Sequence, residues 1–497
     1  MDTRSRSAIT FAVLAVSVSA FALLQSLIVP VLAQIEREFH TDQATVTWVL
    51  TGYLLSASIA TPLIGRIGDV VGKTRMLVIT LAVLSAGSVV AVLAPSIGWL
   101  IVARVVQGIG GGVLPLAFGI ARDEFHERMT TALSVLASLT AVGFGFGIVL
   151  AGPVVDHLGF DGLFWLPAVV TAAAALATLA FVPESPVRTA SRLPVGPAVL
   201  LAIWLAALLL ALSKGNQWGW TSPRVLALLV TAAVVAAAWV AVETRVPVPM
   251  IDMRMMRVRG VWSANAVAAF VGFGMYASFA FLPQFLQTPE SSGYGFGATI
   301  SESGYLLLPS AVASFLVGFC TAPLIRRYGA RAVIASGTLV MAAAYGGFAL
   351  WHDQAWQLFL TTTVQGVGSG LAFSSIAGVV ISAVPAEQTG VASGMNANIR
   401  TIGGSLGSAV MAGIVTAHVG AQGLPSEAGY TIGFTVLAVA MLGAAAAAVA
   451  IPSPAVFAPG PARSAPESMR TAPTSPARTA GSGPTTTATP GPRTASR

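Results

Sequence analysis

The chain has 497 residues, a mean hydropathy of +0.80 and only 9% charged residues, against about a quarter in ordinary soluble domains, which excludes a water-soluble globular protein. Its formal charge of +7 comes from Lys and Arg scattered through the loops, with no basic cluster to line a nucleic-acid groove. Cys320 is the sole cysteine, which excludes an internal disulfide and a thiolate metal cluster.

The chain opens on a basic start and an apolar run from Ile9 to about Ala33, too long for a signal peptide and without a cleavage site, so it is expected to stay as a first membrane span. Thirteen more apolar stretches follow. In chain order the expected spans cover roughly 9–34, 45–67, 77–95, 99–121, 131–153, 163–183, 195–213, 223–242, 260–286, 303–325, 332–350, 356–383, 391–417 and 428–450. About twenty helical residues cross a hydrocarbon layer of roughly 30 Å, and the longer stretches leave room for tilt or interfacial turns.

An even number of crossings returns both termini to one side. Loops on that side hold Arg4, Arg6, Arg66, Lys73, Arg75, Arg122, Arg128, Arg188, Arg192, Arg245, Arg254, Arg257, Arg259, Arg326, Arg327 and Arg331; the other side holds Arg37, Lys214 and Arg224. Positive residues collect on the cytoplasmic face of membrane proteins, so both termini are expected in the cytoplasm of a cell whose plasma membrane the chain spans many times. From Pro452 the chain turns to Pro, Ser, Thr, Ala and Gly with Arg463, Arg470, Arg478, Arg493 and Arg497 scattered through it, the composition of a disordered tail.

Several segments place polar or conformationally special residues where lipid makes them costly. Gly65-Arg66-Ile67-Gly68-Asp69-Val70-Val71-Gly72-Lys73-Thr74-Arg75 joins spans two and three, with glycines for tight turns and Asp69 ready to accept from basic or backbone donors; its place between two spans favours a conformational latch over a plain solvated turn. A weaker copy, Pro323 to Arg331, follows span ten without the acid, as expected of packed repeats. Span four holds Arg104 and Gln107, three apart and so on one face, followed by Gly108, Gly110, Gly111 and Gly112. Arg104 there either serves a coupling path or satisfies exposed carbonyls. Span five carries Gly143, Gly145 and Gly147, then Gly152-Pro153, suited to close packing or a bend.

These segments resemble the fourteen-span drug:proton antiporter branch of the major facilitator superfamily, the QacA/EmrB-like group, over residues 9–450. Gly65 to Arg75 is similar to motif A, Arg104 to Gly112 to motif B, and Gly152-Pro153 to the core of the antiporter motif C. Trp218-Gly219-Trp220, and Ala392-Ser393-Gly394 on to Arg400-Thr401-Ile402-Gly403-Gly404, extend the likeness. The resemblance implies an all-α major facilitator fold: a 1–8 lead, a six-helix bundle over 9–183, two added spans over 184–259, a second six-helix bundle over 260–450, and the tail from 451 to 497. It also implies no bound cofactor, with a transmembrane proton gradient as the energy source, and export by alternating access of hydrophobic or amphipathic compounds, cations among them. Arg104, Gln107, Asp69, Arg75, Gly152 and Pro153 then stand as coupling or gating residues.

Two departures matter. Where the family often has an aspartate in span one, this chain reads Leu24-Gln25-Ser26-Leu27-Ile28-Val29, and Gln25 cannot titrate. Motif C continues as Val154-Val155-Asp156-His157 instead of paired glycines. Asp156 and His157 either replace the missing proton carrier near the outer gate or face water in a loop.

The substrate cavity is expected to be lined by Gln25, Gln107, Asn265, Tyr276, Gln284, Gln365, Asn396, Asn398 and Arg400, because such groups are costly against lipid; helix–helix hydrogen bonds are the competing use. Asn396 and Asn398 are two apart, so at most one is expected to face the centre. Phe270, Phe273, Met275, Phe279, Phe281 and Phe285 supply apolar wall or ordinary packing. His40, His126, His157, His352 and His418 fall near span ends, where solvation is expected. No helix-borne metal motif, phosphate loop or nucleophile–base arrangement suggests an enzyme. Partners are then a small amphipathic substrate and membrane lipids, with no nucleic acid and no obligate protein partner. Export of one endogenous lipid-like or biosynthetic product, and a non-transporting receptor or scaffold, are the alternatives.

Overall fold

The computed structural model describes residues 3–41, 43–125, 128–185, 195–247, 249–418 and 424–452. The expectations for His126, Arg188, Arg192 and the tail's arginines fall outside these residues. Among the described residues fourteen helices are long and apolar enough to cross a membrane. They are α1 (Arg6–Val31), α2 (Thr45–Val71), α3 (Lys73–Val92), α4 (Ile97–Glu124), α5 (Met129–Leu158), α6 (Gly162–Phe181), α7 (Val195–Trp218), α8 (Pro223–Glu243), α9 (Arg259–Gln287), α10 (Ile300–Tyr328), α11 (Ala330–Leu350), α12 (Ala355–Ser382), α13 (Thr389–Ala417) and α14 (Glu427–Ala448). Spanning helices satisfy most backbone groups within their own segment, except where prolines such as Pro62, Pro153 and Pro309 remove a donor.

One end of the bundle collects the start of α1, the turns after α2, α4 and α12, and the end of α14; Arg259 Nε at the head of α9 donates to the Ala450 carbonyl there. This is the arginine-rich end.

The connection between α2 and α3 is tighter than expected. Helix α2 runs on to Val71 and α3 starts at Lys73, so a single residue, Gly72 at φ +128°, makes the turn. A side chain at Gly72 would also strike the Glu184 carboxylate, which accepts from the N–H groups of Thr74 (3.1 Å) and Arg75 (3.1 Å) and so caps α3 from the end of α6. The weaker copy repeats this device: α10 ends at Tyr328 and α11 begins at Ala330 around Gly329 at φ +81°, while Arg326, Arg327 and Arg331 are exposed.

Lys73, counted among the loop charges, is buried instead. Its Nζ lies 2.6 Å from Asp123 Oδ2 on α4, an oxygen that also accepts from Ser185 Oγ. Removing one partner of such a buried pair costs ~3–5 kcal/mol, because the other charge is left alone in a dry interior.

The glycines of α5 sort by face. Gly143 and Gly147 press on α1 at Ser19 and Leu23, while Gly145 and Gly152, seven apart, press on α10 at Ala311 and Ser301. Helix α5 is thus held between α1 and α10, with no room for larger residues on either side. Helix α7 bridges α2 and α13 at the end opposite the arginines: Ser213 Oγ is 2.7 Å from Thr51 Oγ1, and Asn216 Nδ2 donates to the Ala409 carbonyl at 2.8 Å. The Trp218-Gly219-Trp220 turn serves this bridge, since Trp220 Nε1 donates to Asn216 Oδ1 (2.9 Å) and fixes the amide's direction.

Cysteines placed singly at Arg75 and Arg326, each with Cys320→Ser, should react with an impermeant maleimide from the same face of sealed vesicles. Labelling from opposite faces would contradict the arrangement of the ends.

Candidate functional site: a central cavity and the seam that closes it

The first six spans meet the last six along two seams. At the arginine-rich end, Gly65 of α2 sits on the Gly390 carbonyl of α13, where an added Cβ would lie 2.6 Å from that oxygen. This approach brings the Asp69 carboxylate against the first turn of α13 at Gly390, with neither oxygen in a hydrogen bond of good geometry. An anion at a helix N-terminus is stabilised by roughly 0.3–2 kcal/mol. From α4, Arg122 treats the neighbouring helix in the opposite sense: its guanidinium donates to the carbonyl of Ile381 (3.0 Å) in the last turn of α12, to those of Val384 (2.9 Å) and Pro385 (3.2 Å) just past its end, and to Thr389 Oγ1 (2.6 Å). A negative group meets a helix start and a positive group meets a helix end.

The second seam is α5 against α10. It includes the close approach of Gly152 to Ser301 and a hydrogen bond from Ser301 Oγ to Asp156 Oδ2 at 3.2 Å.

Between the seams lies a cavity of about 50 Å³ lined by Gln25, Thr140, Tyr276, Arg400 and Thr401 with the rings of Phe21, Phe144 and Phe373. That volume holds a few waters, far less than the ~300–1,000 Å³ of a drug-sized site. A smaller cavity towards the arginine-rich end shares Leu114, Phe373, Ala397 and Arg400 with it. Arg400 stands at their junction, with its Cζ 4.5 Å from the Phe373 ring centre and Tyr276 beside it.

The expected cavity residues divide. Gln25, Tyr276 and Arg400 line the central cavity, and Asn396 lines the smaller one, where its Nδ2 donates to Asn265 Oδ1 at 2.8 Å. Asn398 is buried away from both. Gln365 lines a third small cavity and donates to Ser278 Oγ (3.1 Å) and Tyr345 Oη (3.3 Å). Gln284 is exposed and lines none of these three.

Arg104 and Gln107 do share a face, but that face points between α2 and α3 rather than into the cavity. Arg104 is fully buried, donating to Gln107 Oε1 (2.6 Å) and the Val49 carbonyl (3.3 Å) with Cζ 4.3 Å from the Tyr53 ring; Gln107 passes the chain on to Ser88 Oγ at 2.9 Å. An arginine in lipid costs about 2.5–3.5 kcal/mol at a helix centre, which these partners offset. Among the glycines of this motif, Gly108, Gly111 and Gly112 pack on α2 and Gly110 on α3.

Other expectations change. The Arg75 guanidinium is exposed and takes no part in the seam, where only its backbone serves, donating to Glu184. Asp156 and His157 occupy the last turn of α5 rather than a loop, both exposed, which is no setting for a shielded proton carrier. His352 is buried, not solvated: its Nε2 is 3.1 Å from Glu427 Oε1 and its ring meets Phe285 edge-on at 5.2 Å. Phe285 belongs to that aromatic cluster, and Phe270 is exposed, so the cavity's rings come largely from Phe21, Phe144 and Phe373. Arg122 and Asp123 were legible only as an adjacent base and acid closing span four.

Sequence comparison agrees with this arrangement: the family model for the Major Facilitator Superfamily matches residues 14–408 and 264–486. The chain belongs to the major facilitator superfamily. Superfamily members are transport proteins, not enzymes. Among curated relatives, Multidrug resistance protein Stp of Mycobacterium tuberculosis is 30% identical over 403 residues, covering 80% of this chain and 74% of that protein. The tetracenomycin C resistance and export protein of Streptomyces glaucescens is 26% identical over 422 residues, covering 84% and 77%. A solved structure of the human organic anion transporter MFSD10 (TETRAN) superposes with a TM-score of 0.64 at 16% identity, covering 90% of this chain and all of that one, a likeness of fold.

In this superfamily member, Arg122→Ala should release the α12 end from α4. The expected result is at least a threefold faster reaction of a cysteine placed at buried Ser393 with an impermeant reagent reaching the arginine-rich end; an unchanged rate would contradict the seam's role.

Proposed function

We propose that the chain is a secondary active exporter of hydrophobic and amphipathic compounds, of the fourteen-span drug:proton antiporter type, working by alternating access. The observation that carries the reading is the seam of Asp69 and Arg122 on the ends of α13 and α12, next to a central cavity too small for cargo. A contact made of side chains on helix ends breaks as a unit and leaves groups that water can satisfy, which suits a gate. In this reading α1–α6 and α9–α14 are two halves that rock about the cavity, and α7 and α8 are added beside them. The arginine-rich end faces the cytoplasm, on the strength of the positive-residue bias. The names of the two bacterial relatives support multidrug or natural-product cargo, and the tetracenomycin exporter favours, as a second reading, one dedicated biosynthetic product.

The family likeness supports proton coupling in this reading. Among the described residues no carboxylate borders the central cavity, so the coupling acid in this proposal is Asp69 at the gate, whose protonation removes the charge beside α13. Purified protein in sealed vesicles should move amphipathic dyes uphill under an imposed pH gradient, and Asp69→Asn should slow this about tenfold. Dye flux that ignores the gradient would reject proton antiport, and absence of flux for every dye would reject the exporter.

A further inference from the structure

The charge inside the cavity points to a class of cargo. Among the residues lining the central cavity and the smaller one beside it, Arg400 is the one charged side chain; the other polar groups are amides, hydroxyls and the phenol of Tyr276. Its Nε donates to no protein acceptor, and its face is taken by Phe373. The nearest acid on the α13 seam, Asp69, meets Gly390, ten residues and so about 15 Å back along the helix from Arg400. Lys73 and Asp123 are engaged with each other. The guanidinium, with its Nε unpaired and Tyr276 beside it, makes the cavity a positive site walled by aromatic rings.

We propose that Arg400 binds the anionic group of an aromatic amphipathic substrate, so that the cargo is a carboxylate, sulfonate or phenolate rather than a cation. This rests on the cavity being the transport site. A guanidinium suits such a group because its planar donors match two acceptor oxygens at once, and a dry, low-dielectric wall strengthens the contact. Phe21, Phe144 and Tyr276 would take the ring system, as aromatic pockets do for flat apolar bodies. A cationic drug would meet Arg400 with no acid to offset the repulsion. Position also favours a cargo role: at the junction of the two cavities the guanidinium borders both the central space and the space towards the seam, so it can hold a ligand as the seam opens.

Two dyes with the same rings separate the possibilities: 8-anilinonaphthalene-1-sulfonate, an anion, and N-phenyl-1-naphthylamine, its uncharged relative. Flux in vesicles and equilibrium binding to the detergent-purified full chain are measured for both, in wild type, Arg400→Gln and Arg400→Lys. The expected result is that Arg400→Gln lowers the anion-to-neutral ratio at least tenfold in both assays, while Arg400→Lys restores a substantial part of it. An unchanged ratio, with both dyes falling together, would assign Arg400 a packing role and overturn the proposal. Flux of the neutral dye with no preference for the anion in wild type would also overturn it while leaving the exporter intact. Should neither dye cross the membrane, the exporter reading fails and the binding ratio alone decides the role of Arg400.

Discussion

Helix ends are the difficulty that a bundle in lipid has to solve. A helix satisfies its own backbone except at its first N–H and last C=O groups, which need side chains or interfacial water. Here the ends of α12 and α13 are met by side chains from α4 and α2, Arg122 on one and Asp69 on the other. The contact requires Gly65 and Gly390 to lie backbone on backbone, so small residues, charge and dipole act as one unit. The supporting charges are arranged behind it. Glu184 caps α3, the Lys73–Asp123 pair anchors α3 to α4, and Gly72 makes the turn that aims them. Loss of any one would loosen the platform from which Asp69 and Arg122 reach across.

The opposite end is joined by different chemistry. There the contacts are small side chains and hydroxyls, Gly152 against Ser301 and Ser301 on Asp156, with the bridge from α7 to Ala409 beside them. Apart from the bond to Asp156 these contacts are neutral and individually weak, about 0.5–1.5 kcal/mol each, whereas hydrogen bonds to a charged group, Ser301 on Asp156 among them, reach roughly 1.5–3 kcal/mol. The charged contacts are concentrated at the arginine-rich end, where Arg122 alone makes four hydrogen bonds.

Much of the architecture was legible because lipid imposes a simple pattern. Apolar stretches of spanning length gave all fourteen helices, and the three-residue spacing of Arg104 and Gln107 gave their shared face. The site was less legible, since partners far apart in sequence decide it. Lys73 reads as a loop charge until Asp123, fifty residues on, is placed beside it, and Arg122 reads as one more positive residue until α12 ends against it. Gln284 and Gln365 look equivalent as polar residues in apolar spans, yet one is exposed and the other bonds Ser278 and Tyr345, a distinction set by helix rotation. His352 has the same cause: a span-end histidine becomes buried because Glu427 and Phe285 close over it.

The central claim is that the charged seam opens as the opposite end closes. Pulsed paramagnetic distances test it directly, with one spin-label pair at Arg75 and Arg326 on the arginine-rich end and another at Trp99 and Trp356 on the opposite end, in a Cys320→Ser background, with and without Asp69→Asn. The account predicts that weakening the seam lengthens the first distance and shortens the second together. A lengthening at one end with no change at the other, or no change at either, would contradict it.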